Sequence, residues 1–200
     1  RLTLLKPKAI EHSNLAFITQ KNKTDLGVFS NGWQSWSFTG PYSSGERMRR
    51  SRLGFLQQPM VLNSGTPSFK KRSLFSSDFF AIVGEAVNQR GVVLGFLSQK
   101  QHFGTICTSL RDHFQIEMWA NGDGTRLFHN ETMITDWAAL CTCNLAKVES
   151  IDPYLKAVSK YHGIKSASKP LTGWCSWYYY YQDISHSIIE DNLDALKEIK

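Results

Sequence analysis

The stretch LTGWCSWYYYY at residues 171–181 contains two tryptophans and four tyrosines within eight consecutive positions. Aromatic side chains at this density either pack against one another or face a ligand. Residues 171–177 are predicted to form a strand, and residues 178–181 the loop that follows it. Side chains alternate between the two faces of a strand, so Cys175 and Trp177 are expected to share one face. The stretch therefore predicts the opening of an α/β domain with an aromatic loop after its first strand.

A helix is predicted directly after the aromatic loop, from about Ser185 to Lys200. Ser187 and Glu190 stand in the register of a capping box, in which each side chain bonds the other residue's backbone N–H. Apolar residues recur at helical spacing along one side of this segment. The predicted apolar stripe consists of Ile189, Leu193 and Leu196.

Residues 1 to about 148 contain many short runs rich in Val, Ile, Phe and Thr, which are typical of strands. The predicted strands cover residues 15–19, 26–30, 79–87, 91–97, 104–110, 114–119 and 133–143. The sequences NQRG at 88–91 and NGDG at 121–124 are predicted hairpin turns. Residues 40–65 are predicted to form a long irregular loop, because they contain several Gly and Pro. Many short strands separated by turns predict a sandwich of antiparallel sheets.

The pattern changes after the last of these predicted strands. Asp152 and Pro153 predict the start of a helix, because Asp is a favoured N-cap residue and Pro fits the first helical position. Gly163 predicts the end of that helix. Residues 152–162 are therefore expected to form a linker helix, and Pro170 marks a boundary before the aromatic stretch.

The formal charge is +6, from 23 Lys and Arg against 17 Asp and Glu, and much of the excess lies in residues 47–52 and 70–72. No nucleic-acid-binding motif accompanies this basic cluster, so a solvated surface is the preferred interpretation. No apolar run reaches the length that crosses a membrane. The four cysteines form no Cys-x-x-Cys pair and are expected to be free thiols in a reducing compartment, which predicts a cytoplasmic protein. The histidines lack ligand spacing, so neither a metal ion nor a cofactor is expected.

Two motifs resemble the α-galactosidases of glycoside hydrolase family 36. They are GWCSWYYYYQDISHSIIEDNL at residues 173–193 and NGWQSWSFTGPY at residues 31–42. The resemblance implies a mainly β fold, in which an antiparallel β-supersandwich is followed by a linker helix and the first βα unit of an incomplete (β/α)8 barrel. The implied domains are the β-supersandwich at 1–148, the linker helix at 149–168 and the start of the catalytic barrel at 169–200. A complete barrel of this kind takes about 250 residues.

The resemblance also implies which residues contact the sugar. Trp177 matches a sugar-contacting tryptophan at the end of the first barrel strand, where the active sites of such barrels lie. Tyr178 follows it and is a further candidate. A tryptophan of the β domain, Trp33 or Trp36, is expected to contact the sugar as well, and the spacing leaves open which of them does so. The catalytic nucleophile and acid/base of this family are aspartates of later barrel strands, so no catalytic residue is expected within this sequence.

The implied function is that of the N-terminal portion of a retaining α-galactosidase, a glycosidase that hydrolyses terminal α-galactosides of the raffinose and melibiose type. An α-galactosyltransferase of the raffinose-synthase type would share this chemistry and differ in its acceptor. A non-catalytic carbohydrate-binding β-sandwich is an alternative from another class. The expected partner is an α-galactoside oligosaccharide, with neither nucleic acid nor a membrane, and a homo-oligomer is left open.

Overall fold

The structure of the protein is a computed structural model that describes residues 2–3 and 8–18 through their backbone, and residues 26–49, 62–63, 65–165 and 172–198 with their side chains. The chain divides into two compact units, Arg1–Ile164 and Lys165–Lys200. The first unit is mainly β, as predicted, and the second contains short helices.

The first unit is built from antiparallel strands and one helix. Its elements are β1 Leu2–Thr3, β2 Lys8–Ile18, β3 Leu26–Ser30, β4 Gly40–Ser43, β5 Leu74–Asp78, β6 Phe80–Glu85, β7 Arg90–Phe96, β8 Gly104–Leu110, β9 Phe114–Leu127, β10 Thr132–Met133, β11 Ala138–Asn144 and α1 Asp152–His162. Within the described residues, a five-stranded sheet has the order β11-β7-β6-β3-β4 and a four-stranded sheet has the order β2-β9-β8-β5. A two-stranded sheet pairs β1 with β10.

The two larger sheets contribute side chains to one hydrophobic core. Val28 and Leu94 come from the five-stranded sheet, and Phe75, Ile106 and Met118 come from the four-stranded sheet. Complete burial of a side chain of this size stabilises the fold by about 1.5–3 kcal/mol. Alternate residues of β8 and β9 point away from this core, so the four-stranded sheet also has an outer face.

The strand predictions over 26–30 and 104–110 are confirmed, since β3 and β8 cover these residues. The predicted hairpin turn at 121–124 is wrong, because β9 runs through it as far as Leu127. Asp123 and Gly124 have φ values of 49° and 68°, and the register against β2 shifts at this point. Residues with positive φ suit a bulge as well as a turn, and here the pairing with β2 continues on both sides.

Two further stretches differ from the prediction. The segment expected to be irregular at 40–65 begins with β4, while residues 50–61 and 64 lie outside the described part. The strand predicted at 133–143 is divided into β10 and β11. Between them, the Asp136 carboxylate accepts hydrogen bonds from the backbone N–H groups of Gln101 (2.8 Å) and His102 (3.1 Å). Burial alone would raise the pKa of Asp136, but these bonds and one from Ser98 outweigh it and lower the pKa. The bound carboxylate thus fixes the irregular segment 134–137 where the strand was expected to continue.

Helix α1 confirms the helix predicted at 152–162, and Gly163 ends it with a φ of 65°. The helix lies against the five-stranded sheet through Tyr154, whose hydroxyl donates a hydrogen bond of 2.6 Å to the Phe96 carbonyl oxygen. Burial raises the pKa of Tyr154 to about 12, so the hydroxyl keeps its proton. A Cβ atom at Gly95 would lie 2.5 Å from the Tyr154 ring, so this contact requires glycine.

The second unit contains α2 Trp177–Tyr180 and α3 His186–Glu198. The strand predicted at 171–177 is wrong for the described residues: 172–176 have no regular structure and Trp177 begins a helical turn. A strand needs a neighbour for its backbone hydrogen bonds, and residues 172–198 offer no second extended segment. The Ser185 hydroxyl accepts a hydrogen bond from the Ile188 N–H (3.3 Å), so the cap of α3 lies two residues before the predicted capping box. None of the helices in the described part of the chain combines the length and apolarity that a membrane span requires.

Candidate functional site

The loop between β3 and β4, residues 31–39, carries both tryptophans of the NGWQSWSFTGPY motif and is called here the Trp loop. Its first residue, Asn31, is bound to the end of β5. The Asn31 N–H donates to the Ser77 hydroxyl (2.7 Å), and its side-chain amide donates to the Asp78 carbonyl oxygen (2.9 Å). The Asp78 N–H donates in return to the Asn31 carbonyl oxygen (2.8 Å). These bonds connect the start of the Trp loop to the opposite sheet of the sandwich.

The Trp loop is narrow at its base. The Gly32 N–H donates a hydrogen bond of 3.0 Å to the Thr39 hydroxyl across that base. A Cβ atom at Gly32 would lie 2.3 Å from the Ser37 Cβ atom, so the two sides of the loop approach closely only because residue 32 is glycine. At the tip, the Ser37 N–H donates to the Gln34 carbonyl oxygen (2.9 Å) and closes a turn. The conformation of the loop is therefore fixed by its own backbone.

Phe38 connects the Trp loop to the core. Its ring contacts the Tyr42 ring at 5.0 Å between centroids, and Tyr42 stacks on the core residue Phe75 at 4.7 Å. The Arg49 guanidinium lies over the Phe38 ring, 4.4 Å from its centre. A cation over an aromatic ring contributes about 0.5–1 kcal/mol at an exposed position. Phe38 is thus the aromatic side chain that holds the loop in place.

The two tryptophans of the Trp loop differ in their surroundings. Trp36 is 64% exposed at the tip of the loop. Trp33 is half-buried, and its indole N–H is buried without a hydrogen-bond partner in the described part of the chain. A buried donor of this kind costs about 1–3 kcal/mol. Trp36 is therefore the ring of this loop that a ligand reaches more easily.

A buried polar group lies below the point where the Trp loop is anchored. The Thr66 hydroxyl donates a hydrogen bond of 2.5 Å to the Asp78 carboxylate and lies 3.0 Å from the Thr105 hydroxyl. Burial raises the pKa of Asp78 to about 6, against a smaller lowering by the Thr66 bond. Because the side chain of Asp78 is 2% exposed, it cannot contact a ligand and acts on the Trp loop only through its backbone.

The second unit carries an aromatic turn, residues 174–181, which includes α2. Trp177 is 52% exposed and Tyr178 is 84% exposed. Trp177 and Tyr181 are four residues apart and their rings meet edge to face at 5.6 Å. In a helical turn, residues at this spacing share a face, so the predicted strand alternation of Trp177 with Cys175 does not apply.

Tyr180 holds the aromatic turn to α3. Its hydroxyl accepts a hydrogen bond of 3.1 Å from the Asn192 side-chain amide, which also donates to the Ile188 carbonyl oxygen (2.7 Å). The Trp174 ring packs on Tyr180 at 6.0 Å between centroids. One tyrosine of the four thus serves as an anchor, while Tyr178 points to solvent.

The structure brings the candidate residues together as two pairs, Trp33 with Trp36 and Trp177 with Tyr178, each within its own unit. A third aromatic position was not predicted as a site. Trp119 lies on the outer face of β9, beside a cleft of about 410 Å³. The sequence signal for it is the alternation of residues 114–119, which puts a tryptophan on the face that is otherwise polar.

The carboxylates of α3 and of the residues before it are exposed, including Asp183 and Asp191, and Asp194 forms an ion pair of 2.7 Å with Lys197. They suit a solvated helix surface.

Within the described ranges, no group of three or more His, Cys, Asp or Glu could hold a metal ion. Comparison of the sequence with protein-family models and with curated proteins finds no match.

Proposed function

We propose that this chain is the N-terminal portion of a retaining α-galactosidase that acts on terminal α-galactosides of oligosaccharides. In this proposal the first unit is a β-supersandwich domain, and the second unit contributes the aromatic turn and the first helix of a (β/α)8 catalytic barrel. The observation that carries the proposal is that each of the two motifs presents an exposed tryptophan, Trp36 and Trp177, close to an aromatic anchor. Phe38 packs against the core beside Trp36, and Tyr180 is hydrogen-bonded to Asn192 beside Trp177.

An exposed indole ring suits one face of galactose. The axial hydroxyl at C4 leaves the C–H groups of C3, C4 and C5 together on the other face of the sugar, and this apolar patch packs on a flat ring. Contacts of aromatic rings contribute about 0.5–1.5 kcal/mol beyond the area that they bury. Trp36 is proposed as the sugar contact of the Trp loop, and Trp33 as its support, because Trp36 is the more exposed of the two rings.

Trp177 and Tyr178 are proposed as the sugar contacts of the aromatic turn. The Trp177 ring is held against Tyr181, and the Tyr178 side chain is 84% exposed, so its hydroxyl is accessible to a ligand. The tyrosine can therefore donate to or accept from a sugar hydroxyl. Tyr180 serves as the anchor that holds the aromatic turn to α3.

The chemistry of such an enzyme is a double displacement. One carboxylate attacks the anomeric carbon as the leaving oxygen takes a proton from a second carboxylic acid, and the resulting glycosyl-enzyme is hydrolysed by water. Both carboxylates belong to later barrel strands in this proposal. The 200-residue chain is therefore expected to bind galactosides and to hydrolyse none. Turnover of a nitrophenyl α-galactoside by this chain would contradict the assignment of its residues to binding alone.

Titration calorimetry of the chain with melibiose tests the proposal. Trp36→Ala and Trp177→Ala are each expected to weaken binding about tenfold, which corresponds to about 1.4 kcal/mol. Trp137→Ala is the matched control, because Trp137 is 72% exposed on the first unit outside the Trp loop. Equal binding by all variants, or an equal loss in the control, would contradict the proposal.

The exposure of Trp36 also favours a second candidate, a non-catalytic carbohydrate-binding β-sandwich, because the first unit has its own core and its own accessible ring. This candidate predicts that Trp36→Ala abolishes melibiose binding while Trp177→Ala leaves it unchanged. An α-galactosyltransferase would share the proposed sugar contacts with the hydrolase. Product analysis with sucrose as acceptor separates the two reactions.

A further inference from the structure

The outer face of the four-stranded sheet contains a cleft of about 410 Å³ beside the hairpin of β8 and β9. Its floor is formed by outward-facing residues of β9, namely Gln115, Glu117 and Trp119, and by Cys107 of the neighbouring strand, which is paired with Glu117. Phe69 lies on one side as an apolar wall. A concave site of this size, with one large aromatic ring and a few polar groups, has the composition of a small-molecule site.

The polar groups of the floor are fixed relative to one another. The Trp119 indole N–H donates a hydrogen bond of 2.7 Å to one oxygen of the Glu117 carboxylate, and the Gln115 amide donates to the other oxygen. The first bond sets the orientation of the indole ring, and the two together hold the carboxylate in place. Each carboxylate oxygen has more than one acceptor position, so the pair of oxygens can still accept from neighbouring hydroxyls of a ligand.

Cys107 gives the floor a neutral surface. Burial raises the pKa of the Cys107 thiol, and the nearby charges of Glu117 and Asp78 raise it further, so the thiol stays protonated at neutral pH. At the rim, the turn of the hairpin places the exposed side chains of Arg111 and His113 beside the cleft, where they can donate hydrogen bonds. The cleft thus combines a flat ring, a carboxylate acceptor and rim donors.

This combination selects a class of ligand. The carboxylates of Glu117 and Asp112 outnumber the one guanidinium, Arg111, among the lining residues, so the cleft disfavours a phosphate or a sugar acid. A purely apolar ligand would cover the carboxylate without giving it a hydrogen bond, which is unfavourable. A neutral saccharide satisfies both requirements, because its C–H face packs on Trp119 and its neighbouring hydroxyls donate to Glu117.

We propose that this cleft is a carbohydrate-binding site for a neutral saccharide, separate from the Trp loop and the aromatic turn. The proposal depends on Gln115, Glu117 and Trp119 and does not require the function proposed above. A saccharide that binds here would attach the first unit to a glycan irrespective of which sugar Trp36 and Trp177 contact.

The test uses the 200-residue chain and a proton–nitrogen correlation spectrum, in which each of its six tryptophans gives one indole N–H signal. The Trp119 signal is assigned by its loss in Trp119→Phe. Raffinose is the probe, and the Trp119 signal is expected to shift in a saturable way at millimolar concentrations. Trp137→Phe, the same substitution at an exposed tryptophan outside the cleft, is expected to leave that shift unchanged.

Glucuronate and glucose provide the second arm, because they share one sugar ring and only glucuronate carries a negative charge. From the shift of the Trp119 signal, we expect glucuronate to bind at least about fivefold more weakly than glucose, through repulsion by Glu117. Glu117→Gln is expected to weaken raffinose about tenfold, since charge-assisted hydrogen bonds are about twice as strong as neutral ones, and to abolish the discrimination against glucuronate.

The proposal is overturned if the Trp119 signal does not move with raffinose in a folded chain, or if Glu117→Gln changes neither affinity nor discrimination. The signals of Trp36 and Trp177 are read in the same spectra. A shift at Trp119 without shifts at these two would support the saccharide site in the cleft and contradict the function proposed above. Shifts at Trp36 and Trp177 without a shift at Trp119 would support that function and contradict the site in the cleft.

Discussion

The contribution of Asp78 to the stability of the first unit is expected to rise on acidification from about pH 7.5 to about pH 4, because Asp78 is a buried carboxyl whose neutral form suits its surroundings. Burial raises the pKa of Asp78 from 3.8 to about 6, and the hydrogen bond from the Thr66 hydroxyl offsets only part of this rise. A pKa that is higher in the folded chain than in the unfolded chain means that the folded chain binds the proton more tightly. The contribution to stability is therefore fully present below about pH 4 and is lost as the pH rises through about 6.

The magnitude follows from the same values. One pKa unit corresponds to about 1.4 kcal/mol, so the rise from 3.8 to about 6 corresponds to about 3 kcal/mol of stability lost at neutral pH. Asp78→Asn removes the ionisable group and keeps an oxygen that can accept the hydrogen bond from the Thr66 hydroxyl. We expect this variant to exceed the unchanged chain in stability at about pH 7.5, by up to about 3 kcal/mol, and to match it near about pH 4.

Urea unfolding at about pH 7.5 and at about pH 4, followed by far-ultraviolet circular dichroism, measures the effect. The quantity to compare is the difference in free energy of unfolding between Asp78→Asn and the unchanged chain, because other titrating groups cancel in that difference. Asp112→Asn is the control, since Asp112 is exposed in the turn between β8 and β9. A difference that is equal at both pH values, or an Asp78→Asn chain that is less stable near neutral pH, would refute the reasoning.

Two further substitutions test the packing of the first unit by urea unfolding. Gly32→Ala places a Cβ atom 2.3 Å from the Ser37 Cβ atom and is expected to lower the free energy of unfolding by about 1–3 kcal/mol. The control Gly27→Ala meets only an ordinary contact of 3.4 Å with the Tyr42 carbonyl oxygen and is expected to lower it less. Equal losses of stability in the two variants would contradict the close approach in the Trp loop. Tyr154→Phe leaves the Phe96 carbonyl oxygen without its 2.6 Å donor and is expected to cost about 1–3 kcal/mol, while an unchanged free energy of unfolding would mean that the bond does not hold α1 to the sheet.

Much of the first unit follows from local sequence. β3 and β8 are short runs rich in branched and aromatic residues, and α1 lies between a proline at its start and a glycine at its end, so a local pattern defines each of them. β5 has no such pattern, because Ser76, Ser77 and Asp78 are polar and yet buried. Their partners are distant in sequence, which is why a local prediction cannot find this strand.

The two wrong predictions have a common origin. The NGDG sequence and residues 171–177 both have a composition that fits the predicted element, but the outcome depends on whether a neighbouring strand is present. At 121–124 the long strand β2 pairs on both sides of a bulge, so the strand continues. In the second unit the described residues contain no neighbouring strand, and Trp177 enters a helical turn.

The candidate residues could be selected from the sequence, but the burial and the contacts of their side chains could not be predicted from it. Trp33 and Trp36 stand in the same short motif, and only the tertiary contacts of the Trp loop distinguish the half-buried ring from the exposed one. Likewise, the role of Tyr180 as an anchor depends on Asn192, twelve residues further along the chain. Trp119 could have been selected as an exception to the polar face of β9.

The measurement that bears most directly on galactoside recognition is a titration of the chain with methyl α-galactoside, followed through its indole N–H signals. The signals of Trp36 and Trp177 are expected to shift in a saturable way, and methyl α-glucoside is expected to shift them less, because its equatorial hydroxyl at C4 interrupts the apolar face. Signals of Trp36 and Trp177 that stay in place, or that respond equally to both sugars, would contradict the proposal that these tryptophans recognise a galactoside.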